Sequence, residues 1–245
     1  MMISGWKTKY SEILKEFMYN ENKDRESAKY LDSILKKSSN YEKISKKIKQ
    51  QNVIVIGAGP SLSRCIPKLK KMKKTIKIVA DSALKPLLEN KIIPDIVVTD
   101  LDGDKESLEQ IGKTNCIMVV HAHEDNFDNL NMVKKFKNCV GTTQSKHYKK
   151  IRNFGGFTDG DRCVFLANHF RAKKIILVGM DFGEKIGRYS LTKKSDRKIK
   201  LKKLKKGEEL LTWLSSFTKS ELFTVSRPIK GFKKISLKEV DIIIT

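Results

Sequence analysis

The stretch Ile93-Pro94-Asp95-Ile96-Val97-Val98-Thr99-Asp100-Leu101-Asp102-Gly103-Asp104 is a β-branched run that ends in three carboxylates around a glycine. Such residues favour an extended backbone, and an unbroken apolar run predicts a strand covered on both faces, as in a parallel sheet. Chemistry is expected where the run stops. Asp100, Asp102 and Asp104 alternate, so a continued strand would point them the same way, and Gly103 predicts a bend that gathers them around a small cavity. Three like charges so close are costly unless a cation or a ligand's donors stand between them, and an all-oxygen set suits Mg2+. The plainer alternative is a solvated turn that caps the next helix. The place of these residues at the carboxyl end of an apolar strand, where open α/β sheets hold ligands, favours a site.

Upstream, Val53-Ile54-Val55-Ile56 reads as a core strand followed by the turn Gly57-Ala58-Gly59-Pro60-Ser61-Leu62-Ser63 and a helix. Two glycines let a ligand approach the backbone, and free N–H groups at the helix start suit a phosphate. The dinucleotide fingerprint would want a third glycine at position 62, which is leucine, so a standard nicotinamide or flavin site is not expected. Gly57, Gly59, Pro60 and Ser61 remain candidates for a nucleotide phosphate or polar ligand head, or for a structural turn. The next strand, 75–79, delivers Asp81 and Ser82 to the same edge, where Asp81 either accepts from a ribose or base or caps the following helix.

Downstream, the strand 116–120 ends at His121-Ala122-His123 followed by acids. A zinc site would need a separated third ligand, so the imidazoles are expected as a polar cleft wall near phosphate or metal-bound water, or as a plain helix start. Thr142 follows a short strand from Cys139, and Thr158-Asp159 closes a glycine-rich loop, where the pair is either a ligand contact or an N-cap. The strand 175–178 exits at Gly179-Met180-Asp181, with Asp181 facing the cleft or capping the turn. This βα rhythm predicts an α/β fold: a mostly parallel, Rossmann-like sheet flanked by helices.

Residues 1–50 carry two helical patterns, one through Tyr10, Ile13, Leu14 and Phe17 and one through Ala28, Leu31, Ile34 and Leu35. They form an expected N-terminal helical region, followed by an α/β nucleotide- and substrate-binding core at 51–190. A basic segment and C-terminal extension at 191–245 is expected to pack on that core. The apolar helix faces are expected to cover a neighbouring domain or a partner subunit, and Ile242 to Ile244 to seal an edge or meet another subunit, with a homo-oligomer such as a dimer expected. The 245 residues include no signal-type segment and no run long enough to span a bilayer, so a cytoplasmic protein is expected, with no membrane partner. Four dispersed cysteines read as buried small hydrophobes.

The net charge of +23 suits a nucleic-acid binder, a polyphosphate site or a lysine-rich solvated surface. Lysines dominate and few aromatics interleave with the basic run 193–206, so nucleic acid is not the expected partner. That run either covers a triphosphate as a lid or remains a solvated helix.

Together, the stretch 93–104, Asp81, the turn 57–63 and Thr158-Asp159 resemble the archaeal 6-hydroxymethyl-7,8-dihydropterin pyrophosphokinases. That family is related in fold to thiamine pyrophosphokinases, whose Pro-Asp-x-x-x-x-Asp-x-Asp pattern is matched by Pro94, Asp95, Asp100 and Asp102. Asp104 stands where the thiamine enzymes more often show serine. The resemblance implies Mg2+-dependent transfer of a diphosphate from ATP to a pterin alcohol, giving AMP, in methanopterin biosynthesis. Asp100 and Asp102, completed by Asp104, would then be catalytic residues that hold Mg2+. Gly57, Gly59, Pro60, Ser61, Asp81, Ser82, His121, His123, Thr142, Thr158 and Asp159 would contact ATP or pterin. Glycosyltransferase-like proteins share the broad fold, which makes a nucleotide-sugar-dependent enzyme the alternative and an RNA-binding protein a more distant one.

Overall fold

Val53, Ile54, Val55 and Ile56 are all fully buried in strand β1 (Asn52–Ile56), because both faces of that strand are covered by helices. The computed structural model describes residues 3–36, 40–190 and 192–244. On one side of β1 lie β2 (Ile76–Ala80), β3 (Ile96–Thr99), β4 (Ile117–Ala122) and β5 (Cys139–Thr143). On the other lie β6 (Lys174–Val178), β7 (Glu221–Thr224) and β8 (Lys233–Lys234). The order is β5-β4-β3-β2-β1-β6-β7-β8, with every pairing parallel. The chain thus winds outward from β1 and returns to add β6 on its free side. That reversal opens a crevice at the carboxyl ends of β1 and β6.

The helices are α1 (Trp6–Phe17), α2 (Glu21–Ile34), α3 (Asn40–Ile48), α4 (Leu62–Lys71), α5 (Leu84–Glu89), α6 (Lys105–Gly112), α7 (Asp159–His169), α8 (Arg197–Ser215) and α9 (Glu239–Ile244). Alternate strand residues feed two cores, as a pleated strand requires. Ile54, Ile56, Val79 and Val97 pack with α2, α4, α5 and α6, whereas Val53, Val55, Ile78 and Val98 pack with α1, α3, α7 and α8. The parallel sheet, the N-terminal helical region and the C-terminal helix and strand extension agree with the fold read from the sequence. β8 was not foreseen, since two lysines show no strand pattern. The third N-terminal helix was also missed: Ile44 and Ile48 are its only buried apolar positions, too few to show a period in a lysine-rich segment.

The apolar faces of α1 and α2 are covered within this chain. Trp6 donates from Nε1 to the Gln144 carbonyl at 2.8 Å, and Ala28 and Leu31 enter the core beside β4 and β5. Asp24, only 1% exposed, is held by three donors: Tyr10 Oη at 2.7 Å, Gln144 Nε2 at 2.8 Å and the Glu124 N–H at 3.0 Å. A buried carboxylate is tolerated only when it is hydrogen-bonded in this way. At the opposite end of the sheet, the Ile243 and Ile244 carbonyls of α9 accept from Lys174 and Asn52, both at 2.8 Å, and so close off the starts of β6 and β1. All four cysteines are buried free thiols. No helix among the described residues is long and apolar enough to cross a membrane.

Candidate active site

Thr99, the last residue of β3, is fully buried. Its Oγ1 donates to Asp81 Oδ2 and accepts from the Leu101 N–H at 2.7 Å. The chain bends at Gly103 as expected and also at Leu101, whose φ of 68° places a leucine in the left-handed region, at a cost of about 1–2 kcal/mol. Gly103 has a second task. Its N–H donates to Asp81 Oδ2 at 3.2 Å, and a Cβ there would stand 1.8 Å from Asp81 Oδ1, so only glycine lets the two strand exits meet.

The result is a cluster of four carboxylates, Asp81, Asp100, Asp102 and Asp159, with one oxygen from each lying within 4.8 Å of the others. Asp81 comes from the exit of β2, Asp100 and Asp102 from that of β3, and Asp159 from the first turn of α7. Asp81 Oδ1 and Asp100 Oδ1 are buried without a protein partner. All-oxygen donors with two orphaned lone-pair sites fit a hard divalent cation such as Mg2+. Asp104 is not among them. It caps α6, accepting from the Ser107 N–H at 3.1 Å and Ser107 Oγ at 2.7 Å, and pairs with Lys85 at 3.0 Å. In its place the fold supplies Asp81 and Asp159, which the sequence suggested as nucleotide or pterin contacts.

The charges within the cluster are uneven. Burial, reinforced by Asp100 and Asp102, pushes the Asp81 carboxyl up to about 7. Asp102, open on one side to the cleft, also rises to about 7 through burial and its neighbour Asp100. Burial, with the Asp100 charge, raises Asp159 well above the usual range against the pull of Arg162, 3.4 Å away. For Asp100, burial works upward but is outweighed by His123, whose Nε2 lies 3.5 Å from Oδ2, so that this carboxyl is held below the usual range. Without a cation, three members therefore favour protons around one charged member.

The cluster opens into a cleft of about 400 Å3 lined on its other sides by Gly57, Gly59, Ser82, Thr158, Met180 and Phe182, and by the first turns of α8. His123 touches the cluster and also caps the segment Glu124–Lys135. His121 and Thr142 do not reach the cleft: they bond to each other at 3.2 Å and line a small cavity behind it. Pro60 is exposed outside the lining. Ser61 faces Asp181, donating from N at 2.8 Å and from Oγ at 2.6 Å. Thr158 both caps α7 and lines the cleft. Arg162, which forms the buried link from Asp159 to Gln144, was not singled out in the sequence. Its position on the first turn of α7, three residues after Asp159, was the only signal available.

A parallel α/β sheet with a carboxylate cluster at its strand exits, faced by a basic helix, has the form of an α/β enzyme with a site compatible with a divalent metal. The family described as 6-hydroxymethylpterin diphosphokinase MptE-like matches residues 25–187, and the chain belongs to that family. It is 44% identical over 231 residues to the 6-hydroxymethyl-7,8-dihydropterin pyrophosphokinase of Methanocaldococcus jannaschii, a match covering 87% of this chain and 96% of that protein. Proteins of the same description from Pyrococcus furiosus and Methanothermobacter thermautotrophicus are 42% and 38% identical, with 90% and 87% of this chain and 97% and 95% of theirs covered. Among solved structures, the MAf glycosyltransferase from Magnetospirillum magneticum AMB-1 is similar, with a TM-score of 0.53 and 13% identity. That match covers 84% of this chain and 40% of the other, and it is a likeness of fold alone.

Proposed function

We propose that this protein transfers the terminal diphosphate of ATP to the hydroxymethyl group of 6-hydroxymethyl-7,8-dihydropterin, releasing AMP, as a step in making methanopterin. The observation that carries this is the cluster of Asp81, Asp100, Asp102 and Asp159 with its two unpartnered buried oxygens, in a chain of this family. These four side chains would hold Mg2+. When bound, the ion would neutralise polyphosphate charge and stabilise the charge that develops as the bond breaks.

The protein's own residues supply position. His123 and the Asn126 side chain, which donates to the Asp100 carbonyl at 2.7 Å, fix the β3 exit. Thr99 and Gly103 fix Asp81, and Arg162 orients Asp159. Holding the pterin hydroxyl in line with the β-phosphorus turns a bimolecular attack into one within a single complex. The new bond forms from that oxygen to the β-phosphorus, the bond from the β-phosphorus to the α–β bridging oxygen breaks, AMP leaves with the bridge, and the hydroxyl proton is released.

The test is incubation with ATP, Mg2+ and the pterin alcohol, followed by phosphorus NMR. AMP and pterin diphosphate in equal amounts are expected. ADP with a pterin monophosphate would overturn the assignment, and turnover of a nucleotide sugar in place of ATP would favour the glycosyltransferase alternative.

A further inference from the structure

The two ends of the cleft differ in their free polar groups, and we infer that they divide the substrates: the ATP polyphosphate lies between the acidic cluster and Lys200 and Lys203 of α8, while the pterin ring lies against Asp181 beside the glycine turn. This division rests on the transferase function proposed above.

Most donors of the glycine turn are taken within the protein. Gly57 and Gly59 donate their N–H groups to the Val178 and Gly179 carbonyls at 2.9 and 2.7 Å, and Leu62 donates to the Gly59 carbonyl at 3.0 Å. Pro60 has no N–H, and Ser61 gives both its donors to Asp181 Oδ2. The place an anion would take at the start of α4 is therefore held by a carboxylate, which also repels phosphate. The segment after β6 closes over the same turn, where a Cβ on Gly187 would stand 1.9 Å from the Ala58 carbonyl oxygen.

What this end offers a ligand is a fixed acceptor beside apolar side chains. Asp181 lines the cleft next to Met180 and Phe182, with Oδ2 tied down by Ser61. A 2-amino-4-oxopteridine carries two adjacent donors, N3–H and the 2-amino group, on one edge of a flat heterocycle whose faces can rest on apolar side chains. A carboxylate held in one orientation matches that edge.

The other end carries the two α8 lysines that face the cleft. On α8, Lys206 pairs with Glu16 of α1 at 2.7 Å, and Lys202 donates to the Glu16 carbonyl at the same distance. Lys200 and Lys203 lie on another face of the helix, line the cleft and, among the described residues, form no ion pair, with Lys203 over the Tyr19 ring at 5.6 Å; Lys185, in the segment after β6, also lines the cleft. Their charges bear on Asp102 across the cleft. Two unpaired ammonium groups opposite a cation-holding cluster leave a polyphosphate-sized gap with positive charge on both sides once the cation is bound.

Equilibrium binding with Mg2+ present separates the two ends, using 6-hydroxymethylpterin fluorescence for one and calorimetry with α,β-methylene-ATP, which cannot be cleaved at the reacting bond, for the other. Asp181→Asn is expected to weaken pterin binding at least tenfold and leave the nucleotide within twofold. The Lys200→Ala, Lys203→Ala double variant is expected to do the reverse, with a loss that shrinks as salt rises, while Lys202→Ala changes neither affinity. If Asp181→Asn does not fold, Ser61→Ala, which frees Asp181 but keeps its charge, is expected to give a smaller loss in pterin binding alone. Equal losses of both ligands in Asp181→Asn, together with a lower melting temperature, would make Asp181 a structural cap and overturn the division. Crossed affinities would overturn it as well. Wild-type protein that binds both probes yet forms no AMP from ATP and the pterin alcohol would instead overturn the transferase function.

Discussion

Two turns leave the sheet at the same edge and differ in what their polar atoms lack. In the glycine turn after β1, Gly57, Gly59 and Ser61 have their donors matched inside the protein, down to the Ser61 hydroxyl on Asp181. At the exit of β3 the position is reversed: Asp100 Oδ1 and the neighbouring Asp81 Oδ1 are buried and unmatched. An unmatched buried acceptor costs roughly 1–3 kcal/mol, and more when charged. A fold keeps such a cost where a bound species repays it. Orphaned oxygens therefore mark the reacting end of this cleft more directly than glycine spacing does.

The strongest way to break this contrast is to remove charge from the acidic exit. Asp100→Asn and Asp102→Asn are each expected to lower AMP formation about 100-fold or more, as loss of a metal ligand should exceed the 10- to 100-fold typical of an outer-shell partner. Circular dichroism should stay native, and full turnover by both variants at limiting Mg2+ would defeat the metal role. Gly103→Ala comes next, since its Cβ must displace Asp81. The expected outcome is Mg2+ affinity reduced about tenfold, read by titrating Mg2+ into the turnover assay; wild-type affinity would show that Asp81 lies outside the metal set.

Proton linkage gives a third, smaller effect. Asp81 and Asp102 titrate near 7, above their unfolded values. The native state thus binds more protons than the unfolded chain, and the metal-free fold loses stability from these groups as pH rises from the ordinary carboxylate range toward 7. A cation must displace those protons, so Mg2+ is expected to raise the melting temperature more at pH 8 than at pH 6. His169, held below the ordinary imidazole range by burial, has no cluster carboxylate acting on it and cancels from the difference. A Mg2+ effect that is flat across this range would place the cation elsewhere.

The smallest effects sharpen the contrast from its structural side. Ser61→Ala and Asp104→Ala remove hydrogen bonds at the glycine turn and at the α6 cap, and each should cost about 1 kcal/mol of stability in denaturant titrations. Turnover by Asp104→Ala should stay at the wild-type level, and the Mg2+ requirement of Ser61→Ala should not change. A loss of Mg2+ dependence in Asp104→Ala would return that residue to the metal set.

Much of the sheet was legible because β-branched runs ending in glycine or aspartate are local signals, and so were Asp100 and Asp102 on the longest of those exits. What escaped depends on partners far away in the chain. Nothing near Ser61 shows that its donors are taken by Asp181, 120 residues on. Asp159 joins the cluster only because α7 returns to the sheet edge above β2 and β3. The expected bend at Gly103 is present, but the positive φ that glycine usually takes falls on Leu101, which no local signal showed, and Gly103 serves close approach to Asp81. The basic run looked uniform until α1 supplied Glu16, which sorts Lys202 and Lys206 from Lys200 and Lys203.

The buried Asp24 also bears on how the protein is made. Its donors lie 100 residues away at Glu124 and 120 away at Gln144, and Trp6 reaches the Gln144 carbonyl across 138. Helices α1 and α2 leave the ribosome before Glu124 and Gln144, and at synthesis rates of about 5–20 residues per second their docking surface emerges only several seconds later. During that interval Trp6, Ile13 and Leu31 have nothing to cover them. These two helices are thus made well before the surface they dock on, and their apolar faces stay open to water in the interval.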